Sequence, residues 1–199
     1  MCGRFYVAQD EQNELLAAMI REASRRQRLL TGQQDLAVGE VFPGSAVAAL
    51  AVGKTGQSAY PMRWGFQRGS GGLLINVRSE TAAKKFAQSV AHRRCLIPIS
   101  WYFEWQTLEG EAGKRKIKYA IRPRKAAQMY LAGLYRYEED AKLPALSVLT
   151  REAAPGIAFI HPRMPVILPE ACREAWLMDG ADAEGLMAQS ETDMECWTA

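Results

Sequence analysis

The fold is organised around the central segment Cys95-Leu96-Ile97-Pro98-Ile99-Ser100-Trp101-Tyr102-Phe103-Glu104-Trp105. Residues 95–99 are an apolar run of strand length, and the aromatic half is predicted to continue it. Glu104 is the exception in this run. A carboxylate desolvated among aromatic rings would have its pKa raised into the range of a general acid. Alternation along an edge strand would instead turn Glu104 to solvent, and both orientations stay open.

Apolar runs of strand length surround this stretch on both sides. They occupy residues 46–52, 73–75, 117–122, 129–137 and 146–150. Gly53-Lys54-Thr55-Gly56 lacks the upstream glycine of a phosphate loop and is predicted to be a hairpin turn. A polar hairpin loop is predicted at residues 109–115.

Helices are predicted in three places from apolar residues at helical spacing, residues 10–30, 82–90 and 170–178. Ser79 or Thr81 is expected to cap the second of them. Few helices among many strands predict an α+β fold around a mainly antiparallel, barrel-like sheet. No repeat and no linker divides the 199 residues, so one domain is expected over residues 1–199.

The amino-acid composition excludes several classes of protein. The chain is 48% hydrophobic and 24% charged, which excludes a mainly disordered chain. It has no apolar run long enough to cross a membrane and no secretory signal, so we expect a cytoplasmic protein. The four cysteines are scattered and only two histidines could join them, so neither a metal site nor a cofactor is expected.

Charge is unevenly distributed along the chain. Residues 1–136 carry a net charge of +11 and residues 137–199 carry −8. A basic body is compatible with nucleic-acid binding, and a solvated charged face explains the asymmetry equally well. Residues from about 179 onward are acidic and weakly patterned, and a solvated tail is the simplest expectation for them.

The amino terminus, Met1-Cys2-Gly3-Arg4-Phe5, offers specific chemistry. Removal of Met1 would leave Cys2 as a free 1,2-aminothiol, with an amine of pKa ~8 and a thiol of pKa ~8.5 on adjacent carbons. An aldehyde can form an imine with that amine and then close onto sulfur as a five-membered thiazolidine. Position alone also allows Cys2 to be an ordinary residue.

A lone histidine lies between two apolar runs in the stretch from Ala158 to Leu168. A buried structural role is the default for His161. Pro162 and Pro165 hold the segment extended, however, and Arg163 would be costly there without an anionic partner.

Six separated motifs together resemble the SOS-response-associated peptidase family, also called abasic-site processing proteins. They are Met1-Cys2-Gly3-Arg4, Trp64-Gly65, Asn76-Val77-Arg78-Ser79-Glu80-Thr81, Arg94-Cys95-Leu96-Ile97-Pro98, Phe103-Glu104-Trp105 and Ile160-His161-Pro162-Arg163-Met164-Pro165. The resemblance runs from residue 2 to about residue 177. Val77 stands where the family usually has Ala, and Ser100-Trp101-Tyr102 where it usually has a small residue.

The resemblance implies an abasic-site sensor acting as a monomer on single-stranded DNA, in the DNA-damage and SOS responses. Cys2 would trap the lesion aldehyde as a covalent thiazolidine, Asn76 would orient the amino-terminal residue, Glu104 would shuttle protons, and His161 would assist ring opening. A DNA lyase side activity is chemically possible through the imine. The residues implied to contact the DNA are Arg4, Arg78 and Arg163, which would hold phosphates, and Trp64 and Trp105, which would pack against sugar or base.

Two other classes of function stay open. A cysteine peptidase, a hydrolase, would use Cys2 as nucleophile and His161 as base. A noncatalytic single-strand binding module would use the arginines and tryptophans and be indifferent to Cys2.

Overall fold

The fold is α+β and mostly antiparallel, as predicted. The computed structural model describes residues 2–8, 13–33, 36–110, 113–126 and 128–199. The strands in these ranges are β1 (Arg4–Val7), β2 (Gly39–Val41), β3 (Ala46–Gly53), β4 (Gly56–Trp64), β5 (Phe66–Gln67), β6 (Leu73–Leu74), β7 (Asn76–Arg78), β8 (Arg94–Ile99), β9 (Trp101–Gly110), β10 (Gly113–Pro123), β11 (Met129–Arg136), β12 (Ala145–Glu152), β13 (Arg163–Pro165) and β14 (Met194–Thr198). The helices there are α1 (Glu14–Thr31), α2 (Ser79–Lys85), α3 (Ala87–His92), α4 (Glu170–Leu177) and α5 (Ala183–Ala188), with a 3₁₀ turn at Pro155–Ile157.

Two large sheets form the body of the molecule. A five-stranded sheet has the order β14-β10-β9-β1-β2, and a second sheet has the order β11-β8-β3-β4-β12-β13 with β7 also paired to β12. A further pairing between β11 and β12 joins the second sheet into a ring. Because a closed ring leaves fewer free edges than an open sheet, this arrangement also limits unwanted strand pairing.

The stretch 95–105 is the point at which the chain passes from one sheet to the other. The prediction of one continuous strand is wrong, because β8 belongs to the ring and β9 to the five-stranded sheet. The break falls at Ser100, whose backbone N–H donates to the Tyr6 carbonyl at 2.8 Å. Its hydroxyl accepts the Ala8 N–H at 2.9 Å. Ser100 thus ties the corner to the amino-terminal strand.

The core lies between the inward faces of the two sheets. Phe5 of β1 packs on Trp64 of β4 with ring centroids 4.6 Å apart, and both are fully buried. Gly65 follows with φ +115°, and a Cβ there would lie 2.8 Å from the Leu73 Cβ, so only glycine allows this approach. This contact packs β6 against the end of β4, just before β7.

Several element boundaries predicted from the sequence differ from those in the structure. The hairpin turn at residues 53–56 is confirmed, with Gly53 paired to Gly56. The predicted hairpin at 109–115 is confirmed, but its loop is shorter than predicted, since Glu109 already pairs with Lys114 in the β9–β10 ladder. Residues 111–112, and residues 10–12 of the first predicted helix, lie outside the described residues.

The second predicted helix and its cap also change. The segment 82–90 is divided between α2 and α3, and α2 begins with Arg78 at its N-cap, without a side-chain capping hydrogen bond from Ser79 or Thr81. The C-terminal residues are not a solvated tail. They form α5 and β14, which pairs along five residues of β10. Backbone pairing therefore secures this acidic segment to the five-stranded sheet.

Candidate functional site

The site begins where the amino terminus meets β7. Cys2 is fully buried, and its carbonyl accepts a hydrogen bond from Asn76 Nδ2 at 2.8 Å. The second polar atom of that amide, Asn76 Oδ1, is buried without a hydrogen-bond partner among the described residues. An orphaned buried acceptor is costly. It is therefore a place where a donor from the amino terminus or a ligand would be stabilised. Met1 itself, and with it the expectation of its removal, lies outside the described residues.

Glu104 lies on the inward face of β9, beside Cys2. It is 6% exposed, and its negative charge is one of the causes that raise the pKa of the Cys2 thiol. The alternative of an edge strand with Glu104 facing solvent is excluded, because β9 lies between β1 and β10 and Glu104 is buried. Tyr102 shares this face two residues earlier, as strand alternation requires.

The Cys2 thiol is held neutral. Burial, chiefly, and the nearby Glu104 charge raise its pKa to about 12, against a smaller opposite effect of the Arg4 backbone, whose carbonyl accepts a long hydrogen bond from the thiol. The Sγ to carbonyl distance is 3.8 Å. At neutral pH the sulfur therefore needs a proton acceptor before it can act as a nucleophile.

Strand β12 brings the second group of predicted residues together. Val148 pairs with Asn76 and Thr150 with Arg78 on one side, and Glu152 pairs with Arg163 on the other. The loop that carries His161 is fixed to the same strand by a 2.9 Å bond from the Ala153 N–H to the Pro162 carbonyl.

His161 Nδ1 is held against the backbone of Arg163. The Arg163 backbone N–H donates to His161 Nδ1 at 3.0 Å, and the Arg163 carbonyl lies 3.2 Å from the same nitrogen. His161 is half-buried, and the preceding Ile160 belongs to the same core cluster as Cys2. These contacts fix the orientation of the imidazole ring beside the core that contains Cys2.

The two arginines of this group are in different states. Arg163 makes a bidentate ion pair with Glu80, at 2.6 and 3.0 Å, and also donates to the Thr150 carbonyl at 2.7 Å. This pairing, first among several causes, lowers the pKa of Glu80. Arg78 is exposed and makes no ion pair with the described part of the chain. Arg78 is therefore available to an anion, whereas Arg163 must first exchange Glu80.

Arg4 and Trp105 form a third group on the outward face of the five-stranded sheet. The Arg4 guanidinium lies 5.0 Å from the Trp105 ring centroid and 4.3 Å from that of Phe42, and it pairs with Glu40 at 3.1 Å. Trp105 is half-buried and keeps part of its ring accessible.

The structure corrects the expected role of Trp64. This ring is fully buried, and its Nε1–H donates to the Ile75 carbonyl at 3.1 Å. A side chain without exposed surface cannot pack against a sugar or a base. Trp64 instead supports the site from beneath, because Ile75 directly precedes Asn76.

Two residues near the site were missed by the sequence reasoning. The Tyr102 hydroxyl is buried without a hydrogen-bond partner in the described ranges, and burial, then the nearby charges of Cys2 and Glu104, raises its pKa. Lys118 lies 3.8 Å above the Phe103 ring. The alternation of side chains along a strand could have identified both residues. Tyr102 lies two residues before Glu104 and therefore shares its face of β9, and Lys118 shares one face of β10 with Lys114 and Lys116.

Two features are absent from the described ranges. No group of three or more His, Cys, Asp and Glu side chains there is placed to hold a metal ion. No described helix combines the length and the apolar character that crossing a membrane requires.

Comparison with known proteins gives consistent matches. A family model described as SOS response associated peptidase (SRAP) matches residues 1–198. Abasic site processing protein YedK of Escherichia coli is 29% identical over 198 residues, covering 94% of this chain and 86% of that protein. Abasic site processing protein YoaM of Bacillus subtilis is 28% identical over 190 residues, covering 89% and 79%. A yeast abasic site processing protein from Saccharomyces cerevisiae is 33% identical over 104 residues, which span 51% of this chain and only 27% of the yeast protein.

Solved structures share the fold. A phage-related protein from Bordetella bronchiseptica superposes with a TM-score of 0.74 at 20% identity, covering 100% of this chain and 94% of that one. A protein from Bacteroides thetaiotaomicron gives a TM-score of 0.74 at 19% identity, covering 99% and 91%.

Proposed function

The chain belongs to the SOS response associated peptidase family, and from that premise we propose that it processes abasic sites in single-stranded DNA through a covalent thiazolidine at Cys2, formed after Met1 is removed. It would act as a monomer on damaged DNA in the cytoplasm. The observation that carries the proposal is the hydrogen bond from Asn76 to the Cys2 carbonyl, 2.8 Å long, beside the buried carboxyl of Glu104. This contact holds the aminothiol residue where a carboxylate can exchange protons with it.

The chemistry would proceed in two steps. The Cys2 amine adds to C1′ of the ring-opened deoxyribose, and a proton taken up from solvent lets the hydroxyl leave as water and leaves an iminium, so that the proton later passed to Glu104 restores the balance. The Cys2 sulfur then attacks the same carbon while its proton passes to Glu104, and the electron pair of the C=N bond returns to nitrogen as a neutral amine. The products are one thiazolidine and one water.

The raised thiol pKa supports a role for Glu104. A thiol with a pKa of about 12 is almost entirely protonated at neutral pH. The adjacent Glu104 is the proton acceptor that ring closure would use. His161 would assist ring opening at the sugar oxygen, and Asn76 Oδ1 would accept from the freed amine.

The DNA on either side of the lesion would be held by the charged and aromatic groups around the site. Arg78 would bind a flanking phosphate directly, Arg163 would do so in exchange for Glu80, and Arg4 would bind one from above Trp105. Trp105 would pack against a sugar or base next to the lesion. A lyase reaction would compete only while the iminium persists.

A cysteine peptidase is less well supported by the same site. Such an enzyme depends on a lowered thiol pKa and on a histidine paired with the thiol. Here the pKa of Cys2 is raised, and His161 Nδ1 accepts the Arg163 N–H.

The test uses the protein with Met1 removal verified by intact mass. It is incubated with single-stranded DNA carrying one abasic site and run on a denaturing gel. The expected result is a heat-stable shifted band with the wild type and with Cys196→Ala, a matched thiol control, and none with undamaged DNA.

Cys2→Ala separates the two nucleophiles. The amino-terminal amine of this variant should give a band only after borohydride reduction of the imine, whereas the wild type needs no reductant. A wild type without a band, or a Cys2→Ala band that is heat-stable without borohydride, would overturn the thiazolidine proposal. A noncatalytic binding module would give no band under any of these conditions.

A further inference from the structure

The outward face of the five-stranded sheet carries a second set of functional residue types. Cross-strand partners share a face. The pairs Tyr6 with Trp101, Arg4 with Phe103 and Trp105 with Lys118 therefore all lie opposite the inward face of Tyr102 and Glu104. Trp197 of β14 joins them through its pairing with Ala120. We call the outward rings of Tyr6, Trp101, Phe103, Trp105 and Trp197 the outer aromatic face.

These rings form a continuous surface. Tyr6 and Trp101 stack with centroids 4.3 Å apart and planes 5° from parallel. Trp101 meets Trp197 edge-on at 6.0 Å. Trp197 is 40% exposed, and Trp101 and Tyr6 are half-buried, so their surfaces remain accessible. Phe103 is only 5% exposed and serves as the floor between them.

Cations are interleaved with the rings. Lys118 lies 3.8 Å from the Phe103 centroid and 5.9 Å from that of Trp105, and Arg122 lies 5.6 Å from that of Trp197. Three carboxylates share the face: Glu40 bonds to Lys118 at 2.8 Å, Glu195 to Arg122 at 2.6 Å and Glu109 to Lys114 at 3.1 Å, so a phosphate would bind these cations in exchange for their carboxylates. With Lys116 and Arg4, which are also outward, five cations face three carboxylates.

The surface is continuous with the groups proposed to hold DNA beside the lesion. The Arg4 guanidinium lies over the Trp105 ring, and the Lys118 ammonium lies over the rings of both Trp105 and Phe103. From Trp105 to Trp101 the strand advances four residues, or about 13 Å. Stacking rings alternating with cations are the features that hold unpaired bases and their phosphates without regard to sequence. A protein partner would be expected to meet a larger apolar patch with fewer charges.

We propose that the outer aromatic face binds the single strand that continues from the lesion, with unpaired bases stacking on Trp101 and Trp197 and phosphates lying along Lys118 and Arg122. This inference rests on the proposed function, since it extends the same strand past Trp105. If this face binds DNA, the affinity of the protein for single-stranded DNA depends on strand length, and the reaction at Cys2 does not.

The test measures fluorescence anisotropy of undamaged single strands of two lengths, about 4 and about 16 nucleotides. Trp101→Ala and Trp197→Ala should each weaken binding of the longer strand by about fivefold or more and leave the shorter strand unaffected. Trp197→Phe, which keeps a stacking ring, should retain most of the affinity. Tyr137→Ala removes a ring that is 70% exposed beside the other sheet and should bind both strands normally.

Two results would overturn the inference. One is wild-type affinity of both alanine variants for the longer strand, which would also be the result if this face binds a protein. The other is an equal loss for both lengths, which would indicate damage to the site itself. Because these strands carry no lesion, failure here is distinguishable from failure of the thiazolidine proposal, which shows only as loss of the heat-stable band.

Discussion

The two faces of the five-stranded sheet carry similar residue types in opposite environments. On the inward face of β9, Tyr102 and Glu104 are buried beside Cys2, and burial raises the pKa of both the thiol and the phenol. On the outward face, Trp101 and Trp105 remain partly exposed, and Trp105 lies beneath cations. The low dielectric constant of the protein interior strengthens electrostatic effects on the inward face, and water screens them on the outward face. One strand thus separates the groups suited to reaction from the groups suited to binding.

Removing the negative charge from the inward face should affect reaction and binding differently. Glu104→Gln should lower the rate of covalent capture by about 10²- to 10⁴-fold, because the Cys2 thiol loses its proton acceptor. Affinity for undamaged single strands should not change, since no outward group is altered. Single-turnover gels and anisotropy measure the two quantities. Glu109→Gln makes the same change on the same strand at a position whose side chain is 76% exposed, and it should leave the rate intact. A Glu104→Gln variant that captures at the wild-type rate would rule out the proton-transfer role.

The two tryptophans expected at the site should separate stability from binding. Trp64→Ala removes a fully buried ring and should lower the free energy of unfolding by about 3 to 5 kcal/mol. Trp105→Ala should cost much less stability and instead weaken single-strand binding by about 1 to 3 kcal/mol. Urea titration and anisotropy give the two numbers for each variant. If Trp64→Ala stayed as stable as wild type, or Trp105→Ala bound DNA normally, the division between the buried and exposed rings would be wrong.

The buried thiol predicts a pH effect on stability. The pKa of Cys2 is raised from its ordinary 9.0 to about 12 in the folded protein. Below pH 9 both states keep the proton and stability is complete. As pH rises from about 9 to 12 the unfolded chain releases the proton first, so stability falls, by at most about 4 kcal/mol.

The Cys2→Ser variant lacks the titrating thiol, so the test compares its stability with that of the wild type. Groups that titrate in both proteins, including the buried thiol of Cys95, cancel in the difference. The free energy of unfolding of the wild type should therefore fall more steeply than that of Cys2→Ser between pH 9 and 12. Parallel curves would mean that the Cys2 thiol is not held neutral.

Particular residues show what the sequence could and could not predict. Apolar runs predicted half of the described strands, β3, β6 and β8 to β12, because a buried strand is apolar along its own length. The burial of Glu104 could not be predicted, since it depends on which face of β9 packs against the core shared with the other sheet. The burial of Trp64 is also tertiary, because Phe5 covers it from a strand almost sixty residues away in the chain. The acidic end looked unstructured because β14 gains its stability from the distant β10.

The smallest expected effect concerns the two arginines beside β12. Arg163 is held by Glu80 in a bidentate ion pair, whereas Arg78 is exposed. Glu80→Gln should free the Arg163 guanidinium and strengthen single-strand binding by a few-fold, and the salt dependence should steepen by about one phosphate contact. Glu174→Gln, an exposed carboxylate on α4, removes the same charge elsewhere and should change neither quantity. An equal gain in both variants would indicate a general charge effect. An unchanged salt slope in Glu80→Gln would mean that Arg163 orders β13 and leaves the phosphate contact to Arg78.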